Sequence, residues 1–192
     1  MSSVQSIPRH DYLLRVANNR VGLWLFIVSD SFLFGGLMVS RWVLWGNTRP
    51  DLNQYLGLTI TSILLLSSFS MNRAEVAVAH GDRRQFLIFL SLTILLGVTF
   101  LAGVVGVEWQ NAPYAASTNV YGAIFFMLTG MHAFHVLSGV IFLSFILRNG
   151  IRSRYTVERH WPVEAAAIYW HFVDVVWIFY FPALYLMVVL VH

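Results

Sequence analysis

The stretch Glu164-Ala-Ala-Ala-Ile-Tyr-Trp-His171-Phe-Val-Asp174-Val-Val-Trp177 decides the reading of this chain. It lies within a run of about two dozen mostly apolar residues, long enough to cross a bilayer. An imidazole and a carboxylate, His171 and Asp174, sit well inside that run. Ionisable groups at membrane depth are costly, and they face a protein interior or a water-filled path. The segment therefore reads as a helix that packs on others and not as a simple lipid anchor.

Working outward, four more apolar segments precede it. The five run approximately over 21–45, 55–78, 86–107, 121–147 and 163–191, and each is long enough to span hydrocarbon. Turn chemistry separates them: Gly46-Asn47-Thr48-Arg49-Pro50, Gly81-Asp82, Asn111-Ala112-Pro113, and Asn149-Gly150 with Pro162. The pattern predicts an all-α integral membrane bundle of five helices over residues 21–192, preceded by an N-terminal segment over 1–20. The composition agrees, with 58% hydrophobic and 11% charged residues, where a soluble domain carries roughly 25% charged. No internal repeat or soluble domain is visible. With no Cys in the chain, disulfides, thiolate metal sites and thioether-linked haem are excluded. Residues 1–20 lack a short apolar core followed by a small-residue cleavage site, so no cleaved signal peptide is expected.

All 12 basic residues are Arg. Arg9, Arg15 and Arg20 precede the first span. Arg73, Arg83 and Arg84 lie around the second-to-third connection, and Arg148, Arg152, Arg154 and Arg159 around the fourth-to-fifth. Only Arg41 and Arg49 fall on the other side. Basic loops stay in the cytoplasm, so the expectation is N-terminus in and C-terminus out. The net charge of +3 is explained by topology and does not point to nucleic acid. Trp42, Trp45, Trp109 and Trp161 fall near predicted helix ends, where aromatic belts form.

Depth is the useful coordinate for the polar residues. At about 1.5 Å per residue, Asp30 lies roughly 14 Å into the first span. His132 and His135 lie about 16 to 21 Å along the fourth, and His171 and Asp174 about 12 to 16 Å into the fifth. In a core about 30 Å thick, all five are near mid-depth. His132 and His135 are i, i+3 neighbours, and Asp30 is expected to pair with the face they form. Glu164, His171 and Asp174 share an arc of about 80° on the last helix, with Glu164 nearer the cytoplasmic interface, and are expected to form a second polar cluster. Two readings stay open: an internal hydrogen-bond network that locks helices together, or a proton-conducting path. Small residues at Gly35, Gly36, Ser40, Gly97, Gly103, Gly106, Gly122, Gly130 and Gly139 suggest close helix packing.

Histidine is a common haem and metal ligand, but only His132, His135 and His171 lie within spans; His10, His80, His160 and His192 lie in loops or at ends. A two-haem respiratory centre needs four His in facing pairs, and a haem–copper centre needs more. No catalytic residue, metal site or cofactor site is expected in this chain.

Several stretches resemble a known family. Tyr121-Gly-Ala-Ile-Phe-Phe-Met-Leu-Thr-Gly-Met-His132-Ala-Phe-His135-Val is similar to the fourth-helix signature of subunit III of haem–copper terminal oxidases, the cytochrome c oxidase type included. The Glu164–Trp177 stretch resembles the last helix of that subunit, and Gly22-Leu-Trp24-Leu-Phe-Ile-Val-Ser29-Asp30-Ser-Phe-Leu-Phe34-Gly-Gly resembles the first helix of its five-helix core. Gly81-Asp82-Arg83-Arg84, Leu95-Leu96-Gly97 and Glu108-Trp109 resemble its second-to-third helix region. The likeness runs from about residue 20 to 190, with five spans of the bacterial type where many members have seven. Asp30 stands where cytochrome c oxidases usually carry the family's carbodiimide-reactive Glu; Asp at this place resembles quinol-oxidase relatives, so the resemblance leaves cytochrome c and quinol both open as the electron donor.

The resemblance implies a non-catalytic core subunit of a proton-pumping complex in a bacterial inner membrane. Haem and copper would reside in partner subunits. This chain would pack on subunit I beside subunit II and possibly subunit IV, bind phospholipid, and sustain proton uptake through Asp30, His132, His135, Glu164, His171 and Asp174. Arg148, Arg152, Arg154 and His160 are candidates for lipid headgroup contact. Two alternatives are a subunit III-like partner of nitric oxide reductase, which shares the fold, and a free-standing proton or solute transporter. The latter calls for inverted repeats or broken helices at mid-depth, which the sequence does not show.

Overall fold

A computed structural model describes residues 9–44, 52–112, 115–117 and 119–186. Five helices among them are long and apolar enough to cross a membrane: α1 (Arg9–Leu44), α2 (Gln54–Ala79), α3 (Arg83–Leu101), α4 (Val120–Ile151) and α5 (Trp161–Phe181). No strand occurs among the described residues. Helix α3 runs on through a π-helical segment, Ala102–Glu108, and a last α turn, Trp109–Asn111. Helix α5 widens into a second π-helical turn at Pro182–Leu186, where Pro182 supplies no N–H to the α ladder.

The helix starts follow from their caps. Asn53, Asp82 and Asn119 each accept a hydrogen bond from the backbone N–H three residues on, at 3.2, 3.0 and 2.8 Å. The Gln85 side-chain amide also donates to the other Asp82 carboxylate oxygen at 2.9 Å, which braces the cap. Pro162 occupies the first turn of α5, where its missing N–H costs nothing. Gly81 turns α2 into α3 with φ +77°.

Two boundaries differ from the sequence expectation. Helix α1 begins at Arg9, so residues expected as a separate segment are its first three turns; nothing between Arg9 and Arg20 breaks a helix, although that stretch is too polar to register as a span. Helix α4 runs through Asn149-Gly150, which reads as a turn in the sequence. Gly150 serves packing there, because a Cβ at that position would meet the Phe86 ring at 2.6 Å.

The core centres on Trp170 of α5, which is 1% exposed. Its ring lies 2.7 Å from where a Cβ on Gly97 of α3 would stand and 2.9 Å from the same point on Gly139 of α4. Its indole N–H donates to the Ser67 hydroxyl of α2 at 3.1 Å. About two turns further on, Trp177 donates to Thr61 of α2 at 3.0 Å and packs edge-on against Phe100 of α3 at 5.0 Å. One helix thus reaches three others through two indoles, and small residues on the partners let it approach. Overpacking such a site costs about 1–3 kcal/mol. Gly97→Val is therefore expected to lower the thermal midpoint of the detergent-solubilised protein, whereas the same change at Gly35, which faces open space, should leave it unchanged. Gly36 and Gly106 likewise make no close contact among the described residues.

Helix α1 packs differently. Little of it is buried within the bundle, and a polar contact fastens it at each level. Arg20 bonds Glu164 at 3.2 Å, Asp30 lies 3.0 Å from His135, the Phe34 carbonyl accepts from the Tyr180 hydroxyl at 3.2 Å, and Arg41 Nε donates to the Ala183 carbonyl at 2.7 Å.

A candidate polar site at mid-membrane

Helix register builds the site. The contacts of Phe26 with Tyr169 and of Phe34 with Tyr180 set α1 parallel to α5, and they bracket Asp30 and Asp174 at one height. The contacts of Gly139 with Trp170 and of His132 with Trp177 set α4 antiparallel to α5, and they bracket His135 at that same height. Asp30, His135 and Asp174 therefore share a layer of the bundle.

Asp30 and His135 meet. Nε2 of the ring lies 3.0 Å from Oδ2, with side chains only 10% and 13% exposed. Nδ1 lies 2.8 Å from the Met131 carbonyl one turn back. Phe34 packs edge-on against the ring at 4.7 Å. Below it, the Tyr169 hydroxyl contacts Ser138 at 2.7 Å and donates to the His135 carbonyl at 3.2 Å. Neither Ser138 nor Tyr169 is among the polar residues singled out from the sequence.

His132 takes no part in that pair. Its ring is fully buried against Trp177 at 4.7 Å and Phe100 at 5.5 Å, and neither nitrogen has a hydrogen-bond partner among the described residues. Asp174 is 3% exposed, and neither of its oxygens has a well-formed hydrogen bond among the described residues. The Ser68 hydroxyl of α2, which acts on Asp174, is held by His171 Nδ1 at 2.8 Å. Glu164 stands apart. It lies seven residues, about 10 Å, below His171 along the axis, and pairs with Arg20 at 3.2 Å and His160 at 3.2 Å. The expected grouping of Glu164 with His171 and Asp174 does not form: one face is shared, but the heights differ. Glu75 of α2 lies near this lower group and interacts with Glu164 and His160.

At that end of the bundle Arg83 donates to the Gly150 and Ile151 carbonyls at 3.3 and 2.6 Å, and Arg159 stacks on Tyr12 at 5.3 Å. The Arg-rich segments are thus gathered at one end. Arg148, Arg152 and Arg154 are exposed there, whereas His160 is engaged by Glu164.

Arg41, counted from the sequence on the arginine-poor side, lies in the last turn of α1. It is 1% exposed inside the bundle and holds the end of α5, so it is no loop arginine. Trp161 and Trp109 open α5 and the last turn after α3; Trp109 donates to Thr129 at 3.1 Å, and Trp161 lies beneath Arg20 at 5.1 Å. Trp45, Arg49, Pro113 and His192 fall outside the described residues. Glu108, buried in the π-helical segment, was not singled out as a buried polar group from the sequence. No three metal-ligating side chains converge among the described residues.

A family model described as cytochrome c oxidase subunit III matches residues 9–189. The chain is 38% identical over 182 residues to cytochrome c oxidase subunit 3 of Gadus morhua, covering 86% of this chain and 68% of that protein. It is 37% identical over 181 residues to the protein of the same name from Salmo salar, with the same coverage, and 37% over 180 residues to that of Cyprinus carpio, again with the same coverage.

Proposed function

Because this chain belongs to the cytochrome c oxidase subunit III family, we propose that it is the non-catalytic third core subunit of a proton-pumping haem–copper terminal oxidase. It is a multi-pass membrane protein of an oxidase complex. In the proposed arrangement it lies in a bacterial inner membrane with its Arg-rich end in the cytoplasm, as the distribution of basic residues favours. It packs on subunit I, with subunit II and possibly subunit IV nearby. Haem and copper belong to those partners, and this chain supplies no redox centre.

The match over residues 9–189 carries the reading, and the buried Asp30–His135 pair supports a role in sustaining proton uptake. Ionisable groups kept at mid-membrane are expensive, and a pair inside the protein is a place where protons can be held near a neighbouring redox subunit. The exposed Arg148, Arg152 and Arg154 suit anionic phospholipid headgroups, with His160 at their edge.

The test is Asp30→Ala in the purified complex. The haem spectrum should match wild type, while activity decays sooner over successive turnovers and proton uptake slows. Loss of haem would overturn the accessory role, and an unchanged lifetime with unchanged uptake would remove Asp30 from it.

A further inference from the structure

Asp174 of α5 is 3% exposed, and its carboxyl needs partners in either protonation state. Ionised, it accepts at both oxygens; protonated, it also has an O–H to place. Leaving such a group dry and unpaired is costly. Ser68 of α2 is the hydroxyl that acts on it, and that hydroxyl lies 2.8 Å from Nδ1 of His171. A serine has one hydrogen to give. If Nδ1 is bare, the hydrogen goes to His171 and Asp174 receives none. If Nδ1 carries a hydrogen, the hydroxyl can turn to Asp174 and reaches one oxygen. At least one carboxyl oxygen is left over either way. Other donors where α2 faces α5 are spent. The Trp170 and Trp177 indoles go to Ser67 and Thr61, whose own hydroxyls return to the Leu64 and Gly57 carbonyls. Neither Asp174 oxygen has a well-formed hydrogen bond among the described residues.

We infer that Asp174 and Ser68 hold a bound water molecule between α5 and α2. Three kinds of occupant could supply the missing hydrogen bonds, and the surroundings select among them. A side chain of another protein has no approach to a carboxyl that is 3% exposed. A hard metal ion such as calcium takes about six to eight oxygens, and no three metal-ligating side chains converge among the described residues. Water is small, and it both donates and accepts, so it serves the carboxyl in either protonation state. A buried water needs about two to four polar partners, and the two Asp174 oxygens with the Ser68 hydroxyl provide them. The way in is the seam between α2 and α5, where Ser68 and His171 are half-buried and Asp174 is closed off. The site goes beyond the function proposed above, since nothing in it depends on a redox partner.

The test uses the full chain, ¹³C-labelled, in lipid bilayers, with magnetisation passed from water protons to side-chain carbons in magic-angle-spinning NMR. The Asp174 carboxyl carbon is assigned by its loss in Asp174→Asn. It should receive water magnetisation early, while the methyl carbons of Val173, 1% exposed on the same helix, should receive it late. In Asp174→Leu the water loses its main partner, so early transfer to the Ser68 side chain should vanish. In Asp174→Asn, whose amide still donates and accepts, that transfer should persist. An Asp174 carbon as slow as Val173 would overturn the proposal, as would Ser68 transfer that is unchanged in Asp174→Leu. The wild-type comparison with Val173 decides the matter even if the leucine variant does not fold. A chain that passes this test yet associates with no haem protein would keep the water site and lose the functional reading. A true oxidase subunit with a dry Asp174 would do the opposite.

Discussion

Replacing Trp170 with Ala is expected to destabilise the bundle by about 3–5 kcal/mol, the range for emptying an aromatic core site. Lipid tails are as apolar as the residue removed, so the loss is not one of transfer out of water. It is a loss of contact. The indole fills the space between Gly97 and Gly139, and neither glycine has a side chain with which to refill it. Dispersion lost to a void is not recovered when rigid backbones line that void. The Ser67 hydroxyl also loses the donor that now reaches it at 3.1 Å. Trp170→Phe keeps much of the ring and should cost about 1–2 kcal/mol, mostly for that hydrogen bond. The difference between the two variants in unfolding by denaturant in mixed micelles checks the assignment. Equal effects would mean that the hydrogen bond, and not the fit between the glycines, is what the position supplies.

Arg41→Ala is the second large effect. The guanidinium is fully buried and gives the Ala183 carbonyl a charge-assisted hydrogen bond of 2.7 Å. Losing such a bond costs about 1.5–3 kcal/mol, and the emptied volume adds to it. The loss should be local. Helix α1 has little area in the bundle and is fastened by discrete polar contacts, so removing the outer one should raise amide hydrogen exchange in the outer half of α1 while α2 and α3 stay protected. Arg41→Met tests the cause. It keeps volume and spares the desolvation of a buried charge, and such replacements are often neutral or better. If Met restores global stability while α1 still exchanges fast, the arginine fixes position at the expense of stability. Uniform exchange across all five helices would show that α1 is not separately fastened.

The five spans were legible because each is an apolar run that only a membrane or a very large core would hide. The layer of ionisable groups was legible too, since helix rise converts residue number into depth. Partner choice was not. His132 and His135 differ by about 60° around the helix, and the docking of α1 decides which of them Asp30 meets. Glu164 illustrates the opposite difficulty: its azimuth matches that of His171 and Asp174, yet separation along the axis assigns it to Arg20 and His160 at the end of the bundle. Arg41 was concealed by a sound rule, because counting basic residues by side treats a buried clamp and a loop charge alike. Gly150 carries the sign of a turn and does the work of a close helix contact.

Central to the account is that this chain acts beside a redox subunit and carries no redox group itself. The most direct measurement is an affinity isolation of the tagged chain from its native membrane in mild detergent, followed by a reduced-minus-oxidised absorption spectrum before and after the partners are stripped away. The account predicts haem bands in fixed ratio to the chain before stripping and none on the chain alone afterwards. A chain that purifies intact with no haem-bearing partner, or that retains haem once alone, would contradict it.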